Sequence, residues 1–517
     1  LNASNTISEA RTDTLQGPGN YRGDLLPALD RLQYPIYILA LAVSISVWFI
    51  AIRAPLWLDE TVSMYLIRGG FAGIMARQVW PDSPVYSCLL WLWTRVMGTG
   101  EIALRISSIL PMLAAVYLLY LAARDLFGRQ IAVIAAIVFC LHPIVIFAAI
   151  DVRPYAFAVL VINASILALV RLRHNQSNWL AAVFGLSVGC VVDLQLLFAV
   201  IVPALAICFV TLKINDRKTF RRQFGVALVA FAFAFLPAIP RLKYMFHTSG
   251  THVFSETPKL GQLISTLGLR ALAFILLAAV LIAAARRQLN LRVQAGSWPV
   301  MLCASLALVP ILTLYGLSVG TSIHVFVPRY RLVAVPGIAL CWALVVSRIE
   351  SRALQLLFCL VLVTVAAGHS FRSPAYRQHQ YSWKYALDFV EKNASVDDAK
   401  VLICSDLPEA DYLPMPVGPA IENSGILPAL SYYKLSVPVV PLPRALNGEA
   451  MRVGSQFLQE AAQQHERFLA LAFAPSYGTL DWLAHNAATT HDVHKLGEFD
   501  GVKVLEFIPR GQSGAAR

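Results

Sequence analysis

The chain has 517 residues, 57% of them hydrophobic and 14% charged, with a mean hydropathy of +0.62. Soluble globular domains carry about 25% charged residues, so this composition excludes a soluble enzyme, and so much apolar surface also excludes a disordered chain or a coiled coil. The formal net charge of +12 is not gathered into a basic tract that would bind nucleic acid; Lys and Arg fall largely in short segments between apolar runs, where they orient a chain in a bilayer.

Residues 1–34 are polar, with Gly17, Pro18 and Gly19 near the middle, and read as a flexible cytoplasmic tail that lacks the basic start and early apolar core of a signal peptide. Apolar runs follow at 35–52, 103–123, 131–149, 155–171, 179–192, 194–212, 224–240, 261–285, 299–319, 331–347 and 353–369. Runs of about 20 residues cross a ~30 Å hydrocarbon layer as helices. The stretch 179–212 is too long for one ordinary crossing and carries Asp193 and Gln195 mid-run, so it is split into two. With the N-terminus inside, this split leaves Arg124, Arg129, Arg171, Arg173, Lys213, Arg217, Lys218, Arg221, Arg222, Arg286, Arg287, Arg292, Arg348 and Arg352 in cytoplasmic loops, as the positive-inside rule requires.

The long outer loop 53–102 holds two more apolar stretches. Residues 61–80 space Met64, Ile67, Phe71, Ile74 and Met75 three and four apart, with Arg68 and Arg77 on the polar side; 85–97 is Trp-rich and too short to cross. Both are predicted to lie in the membrane interface. From residue 370 onward no spanning run remains, and 370–517 reads as a soluble α/β domain on the outer face. Its predicted strands are Lys400–Cys404, Phe468–Phe473 and Val502–Ile508, and its predicted helices Ser382–Lys392, Met451–Glu466 and Tyr477–Ala487. The expected fold is therefore a polytopic α-helical membrane protein of about eleven transmembrane helices with a C-terminal soluble α/β domain. Of eight cysteines, only Cys88 and Cys404 lie outside apolar runs, which leaves room for one bridge and no disulfide framework. The eleven histidines show no metal-ligand spacing.

Unusual polar residues gather on the outer side. Asp59 and Glu60 follow the first span directly, after Trp57. A carboxylate desolvated there would have a raised pKa and suit a general base acting on an alcohol or amine; equally, Asp59 could simply cap a helix that starts at Glu60. Asp82 and Ser83 precede Pro84 and Tyr86, again compatible with a helix cap. Asp151, Arg153 and Tyr155 occupy a very short loop, either as a local ion pair or facing a water-filled cavity. Arg329, Tyr330 and Arg331 lead into the tenth span; two outer arginines suit a lipid-linked phosphate, which an arginine binds bidentately, or else snorkel to headgroups.

The order of these clusters resembles the GT-C superfamily of membrane glycosyltransferases, in the branch of bacterial enzymes related to protein O-mannosyltransferases and lipid A aminoarabinose transferases. The likeness runs over about residues 35–345. It is carried by Leu56–Glu60, by Pro84-Val85-Tyr86 running on to Gly98, Glu101, Ala103, Leu104, Arg105 and Ser108, by Arg153-Pro154-Tyr155, and by Arg329-Tyr330. Asp82-Ser83-Pro84 departs from the family's His-Pro-Pro or Lys-Pro, and Asp151 stands where Glu is usual. The resemblance implies an inverting transferase that moves a sugar from a polyprenyl-phosphate donor to a lipid, glycan or protein acceptor on the outer face of a bacterial inner membrane. In that family the acidic residue after span one is catalytic, which maps onto Asp59 with Glu60 beside it. Arg329, Tyr330, Arg331 and Arg153 are the expected donor-phosphate contacts, and Asp82, Tyr86, Asp151 and Tyr155 are further candidates. No cofactor or metal is expected to be obligatory, although Asp59, Glu60, Asp82 and Asp151 could together collect a divalent cation. The competing reading is a polytopic transporter or flippase of a lipid-linked substrate, for which Asp193 deep in the bilayer would argue.

Overall fold

The computed structural model describes residues 22–77, 83–212, 216–248, 257–266, 270–287, 297–321, 324–372, 382–394, 400–411, 415 and 425–511. The protein is a polytopic helical membrane protein with a C-terminal α/β domain. Seven helices among the described residues are long and apolar enough to cross a bilayer. They correspond to the runs predicted at 35–52, 103–123, 155–171, 224–240, 299–319, 331–347 and 353–369. The first, α1 (Arg22–Ser46), starts inside the stretch read as tail. The next long one, α5 (Glu101–Phe127), is about 40 Å long at 1.5 Å per residue.

The loop between them folds as α2 (Leu58–Leu66), α3 (Gly70–Ala76) and α4 (Pro84–Met97). The single helix expected over 61–80 is cut in two by Gly69 and Gly70, both at positive φ (80° and 67°), a conformation that ends a helix. The run 131–149 is a broken span: α6 (Arg129–Cys140) and α7 (Pro143–Ile150) meet at 72°. Pro143 lacks an N–H and cannot continue α6, while Trp48 donates its indole N–H to the Cys140 carbonyl freed by the break (3.0 Å). After α8 (Tyr155–Leu172), the predicted split of 179–212 takes the form of α9 (Asn178–Leu194), a 3₁₀ turn and α10 (Val202–Val210). α9 crosses α11 (Arg217–Phe235) through Gly185 and Gly189. A Cβ at 185 would stand 1.9 Å from the Ala227 carbonyl oxygen, and one at 189 would stand 2.6 Å from that of Phe231. This is the small-xxx-small contact of membrane helices.

The later membrane helices are α12 (Ile239–Thr248), α13 (Leu260–Thr266), α14 (Arg270–Ala285), α15 (Ser297–Gly320), α16 (Pro328–Arg331), α17 (Val335–Val346) and α18 (Arg352–Arg372). Beyond them α19 (Lys384–Ala394), α20 (Gly448–Gln464) and α21 (Tyr477–Ala487) flank a five-stranded sheet in the order β2-β1-β3-β5-β4. β1 (Lys400–Cys404) is parallel to β2 (Val439–Leu442) and β3 (Phe468–Phe473); β5 (Val502–Pro509) runs antiparallel between β3 and β4 (His491–Phe499). The two strands that hydropathy missed are the sheet's edges. β2 contains Pro441, and β4 is polar and bulged between Lys495 and Gly497, which are edge-strand features. Cys88 and Cys404 are both free thiols, Cys404 being sealed inside β1, so the single bridge allowed by the sequence does not form.

The α/β domain grips the chain just ahead of α2. Tyr433 Oη accepts from the Leu56 N–H (2.7 Å) and donates to Glu101 Oε1 (3.0 Å); Ser382 Oγ donates to the Leu56 carbonyl (2.9 Å), and Lys384 Nζ reaches both Glu101 oxygens (3.0 and 3.1 Å). Gly425, at φ 71°, lies so close to Tyr65 that a Cβ would stand 2.7 Å from its ring.

Candidate active site

The site is built on the first turn of α2. The N-cap is Trp57, so Asp59 is the second helical residue and not a cap. Glu60 reaches back to the Trp57 N–H (3.1 Å), satisfying one of the donors a helix start leaves open. The two adjacent carboxylates face opposite surroundings. Glu60 is fully buried: Oε1 accepts from Arg105 Nη1 (2.8 Å) and the Val152 N–H (2.9 Å), and Oε2 accepts from Arg105 Nη2 (3.2 Å). Arg105, also fully buried, donates in addition to the carbonyls of Ala54, Pro55 and Ile150. This closed cluster ties α2 to α5 and to the α7–α8 loop.

Asp59 keeps 20% of its side chain exposed, and its Oδ2 accepts from Arg329 Nη1 at 2.5 Å. Arg329 arrives on α16. The segment before it is held because Ser318 Oγ accepts the N–H groups of Val325 and Phe326 (2.9 Å each). Arg329 also stacks its guanidinium 5.3 Å over the Tyr330 ring, and its Nε–H is buried without a hydrogen-bond partner among the described residues. A buried donor of this kind costs free energy until an acceptor reaches it. Arg331 lies over the Phe326 ring (5.1 Å). From below, Arg153 Nη1 donates to the Asp59 carbonyl (3.1 Å) and reaches Ser63 Oγ (3.5 Å).

Asp151 is fully buried and accepts the Trp57 indole N–H on Oδ1 (3.0 Å). Burial pushes its carboxyl up to about 7, with the Trp57 hydrogen bond and the Arg153 charge opposing and Asp59 adding to the rise. Tyr155 is buried against Phe198 and Tyr86 against Phe157. Asp82 lies outside the described residues. Ser83 caps α4, accepting the Tyr86 N–H (3.2 Å) and donating to Asp193 Oδ2 (2.9 Å). Asp193 is also paired with Arg241 (2.6 Å).

Two participants were not anticipated from sequence. Arg105 was part of a motif but had no role assigned; the signal was an arginine inside a spanning run, which needs a partner. Asp406 follows β1, accepts the Trp383 indole N–H at 2.5 Å, and is buried. Burial lifts its carboxyl to about 6, opposed by the Trp383 bond, and the Asp59 charge contributes to the rise. Nothing local in the sequence marks it. Among the described residues no group of three or more His, Cys, Asp or Glu side chains is arranged for a metal ion. Asp59, Glu60 and Asp151, which could have shared one, are engaged by Arg329, Arg105 and Trp57.

A family model described as dolichyl-phosphate-mannose-protein mannosyltransferase matches residues 81–244. Among curated proteins none matches the chain by sequence. Among solved structures the chain is similar to ArnT from Cupriavidus metallidurans bound to undecaprenyl phosphate, with a TM-score of 0.53, 13% identity, and coverage of 91% of this chain and 97% of that one. It is also similar to the archaeal oligosaccharyltransferase AglB from Archaeoglobus fulgidus in complex with an inhibitory peptide and a dolichol-phosphate, with a TM-score of 0.51, 13% identity, and coverage of 93% and 75%. Over nine-tenths of its length, then, the chain has the GT-C fold expected from its motifs.

Proposed function

We propose that the protein is an inverting glycosyltransferase that moves a hexosyl or pentosyl group from a polyprenyl-phosphate donor to a lipid, glycan or protein acceptor on the outer face of a bacterial inner membrane. The observation that carries this reading is the accessible Asp59 carboxylate held on Arg329, above a rigid Glu60–Arg105 support. The polyprenyl phosphates named for ArnT and AglB support the donor class.

Asp59 accepts the proton of an acceptor hydroxyl or amine as that atom attacks the anomeric carbon. The bond from that carbon to the phosphate oxygen breaks, and polyprenyl phosphate leaves as an anion, so no general acid is required. A single displacement inverts the anomeric configuration. The donor phosphate competes with Asp59 for the Arg329 fork and supplies the acceptor that the buried Nε–H lacks, which frees the base as the donor binds. Fixed positive charge on the departing phosphate, from Arg329 with Arg331 and Arg153 nearby, is stronger in the transition state than in the ground state. Tyr330 shapes the same phosphate region. Glu60 and Arg105 position α2 and do not exchange protons. Asp151 and Asp406 are secondary carboxyls around the base, and this reading uses no obligatory divalent cation.

Asp193, which would argue for the transporter reading if it stood available deep in the bilayer, has its carboxylate paired with Arg241 and Ser83. Incubating the purified protein in lipid with a panel of undecaprenyl-phosphate sugars, and following free undecaprenyl phosphate by mass spectrometry, tests the proposal. Release that depends on an added acceptor supports it; no release from any donor overturns it.

A further inference from the structure

A groove of about 730 Å³ runs between α9 and α11 on the outside of the helical bundle. α11 supplies Arg221, Gly225, Val229 and Phe233, four residues apart and so on one face of the helix; α9 supplies Trp179 and Leu186. Among the described lining residues only Arg221 and the adjacent Arg222 are charged, and the rest of the wall is apolar. The groove starts at the end of the bundle away from the reaction centre. Arg153, just ahead of α8, touches the Asp59 carbonyl, and α8 then runs about 27 Å at 1.5 Å per residue before a short loop leads to Asn178 and Trp179. Trp179 stands level with the arginines because α9 and α11 run parallel, Gly185 against Ala227 and Gly189 against Phe231. It is 74% exposed, as suits an indole at a membrane–water interface. α11 is also the least covered of the seven spans: protein buries 17% of its apolar stretch, against 33% or more in the others.

We propose that this groove binds one anionic phospholipid, with an acyl chain along Gly225 and Val229 and the phosphate at Arg221 and Arg222. Charge selects the headgroup. Residues 216–222 hold four cations and one carboxylate. That carboxylate, Asp216, lies within electrostatic reach of Arg222, but its oxygens already accept the Lys218 and Thr219 N–H groups (2.9 Å each) and the Thr219 hydroxyl (2.8 Å). The excess of positive charge at a membrane edge favours an anionic headgroup over a zwitterionic one. Depth selects the tail. From Arg222 to Phe233 the groove runs about 17 Å along α11, close to half of a ~30 Å hydrocarbon layer, which is the reach of an acyl chain in one leaflet. A polyprenyl donor seated here would carry its phosphate to the end opposite Asp59. Gly225 keeps the path of the chain open, since a Cβ there meets no heavy atom within 4 Å.

The test is native mass spectrometry of the full-length protein in detergent, titrated with dioleoylphosphatidylglycerol or dioleoylphosphatidylcholine. The first phosphatidylglycerol is expected to bind at least about tenfold more tightly than the first phosphatidylcholine. Arg221→Gln with Arg222→Gln should bring it down to the phosphatidylcholine level. Gly225→Trp, which fills the groove and keeps both arginines, should weaken it as well. Arg217→Gln with Lys218→Gln removes the same charge outside the groove and should change affinity by less than about threefold. Glycerophosphoglycerol, the headgroup without its chains, should not compete, and undecaprenyl phosphate should bind beside the phospholipid and not in its place. Equal affinity for the two phospholipids would overturn the assignment, as would phosphatidylglycerol binding that is unchanged by the Arg221→Gln, Arg222→Gln pair or by Gly225→Trp. An equal loss from Arg217→Gln with Lys218→Gln, or displacement by glycerophosphoglycerol or undecaprenyl phosphate, would overturn it too.

Discussion

Arg329 Nη1 and Asp59 Oδ2 lie 2.5 Å apart across 270 residues of sequence, joining the start of α2 to α16. This pair gives Arg329 two tasks, holding the base and receiving the donor phosphate, and the tasks separate on mutation. Arg329→Lys keeps the charge but loses the planar fork; it should raise KM for the donor about tenfold with a smaller change in kcat. Arg329→Ala should also lower kcat by about 10²–10³. Steady-state kinetics with donor and acceptor varied in turn checks this, and an effect confined to acceptor KM would contradict it.

Glu60 and Arg105 form a fully buried ion pair. Removing one partner of such a pair strands the other and costs about 3–5 kcal/mol. Glu60→Ala and Arg105→Ala should therefore lower the thermal transition sharply, whereas Asp59→Asn should leave it nearly unchanged. Differential scanning fluorimetry of the three variants in detergent separates the supporting carboxylate from the reactive one.

Asp151 and Asp406 carry carboxyls raised by burial to about 7 and about 6 from the usual 3.8. The folded state thus holds these protons more tightly than the unfolded chain. Their contribution to stability is complete below pH 3.8 and is lost as pH rises through the folded values. The thermal transition of wild type should fall between about pH 4 and 7. Asp151→Asn, which keeps an acceptor for Trp57, should flatten that fall and gain on wild type as pH rises; parallel curves would contradict the assignment.

Gly185 lets α9 touch the backbone of α11 at Ala227. Gly185→Ala should destabilise by about 1–3 kcal/mol, the usual cost of overpacking. Gly225→Ala, where a Cβ meets open space in α11, should be neutral. Thermal transitions of the two variants compared with wild type make the check.

Long apolar runs dictate spanning helices because no other structure satisfies the backbone in lipid, so among the described residues seven of the eleven predicted runs recur as helices long enough to cross, though α1 and α11 begin well before their apolar runs, at Arg22 and Arg217. The 72° break at Pro143 was not legible, since hydropathy averages over it. In the α/β domain the buried strands β1, β3 and β5 were read from their apolar sequence, and the edges β2 and β4 were not. Asp500-Gly501, with φ of 51° and 82°, was the hairpin signal that could have revealed β4. In the site, an acidic pair after the first span was visible, but which carboxylate stays accessible is decided by Arg105, 45 positions away. Asp406 enters only through the docking of the α/β domain, a relation that no local pattern encodes.

The most direct test of the account is sugar transfer by Asp59→Asn, measured beside donor binding in the same lipid. The amide preserves size and an acceptor for Arg329 but cannot take up the nucleophile's proton, so transfer should fall by about 10²–10⁴ while undecaprenyl-phosphate sugar still binds. Transfer at the wild-type rate by this variant would contradict the role given to Asp59.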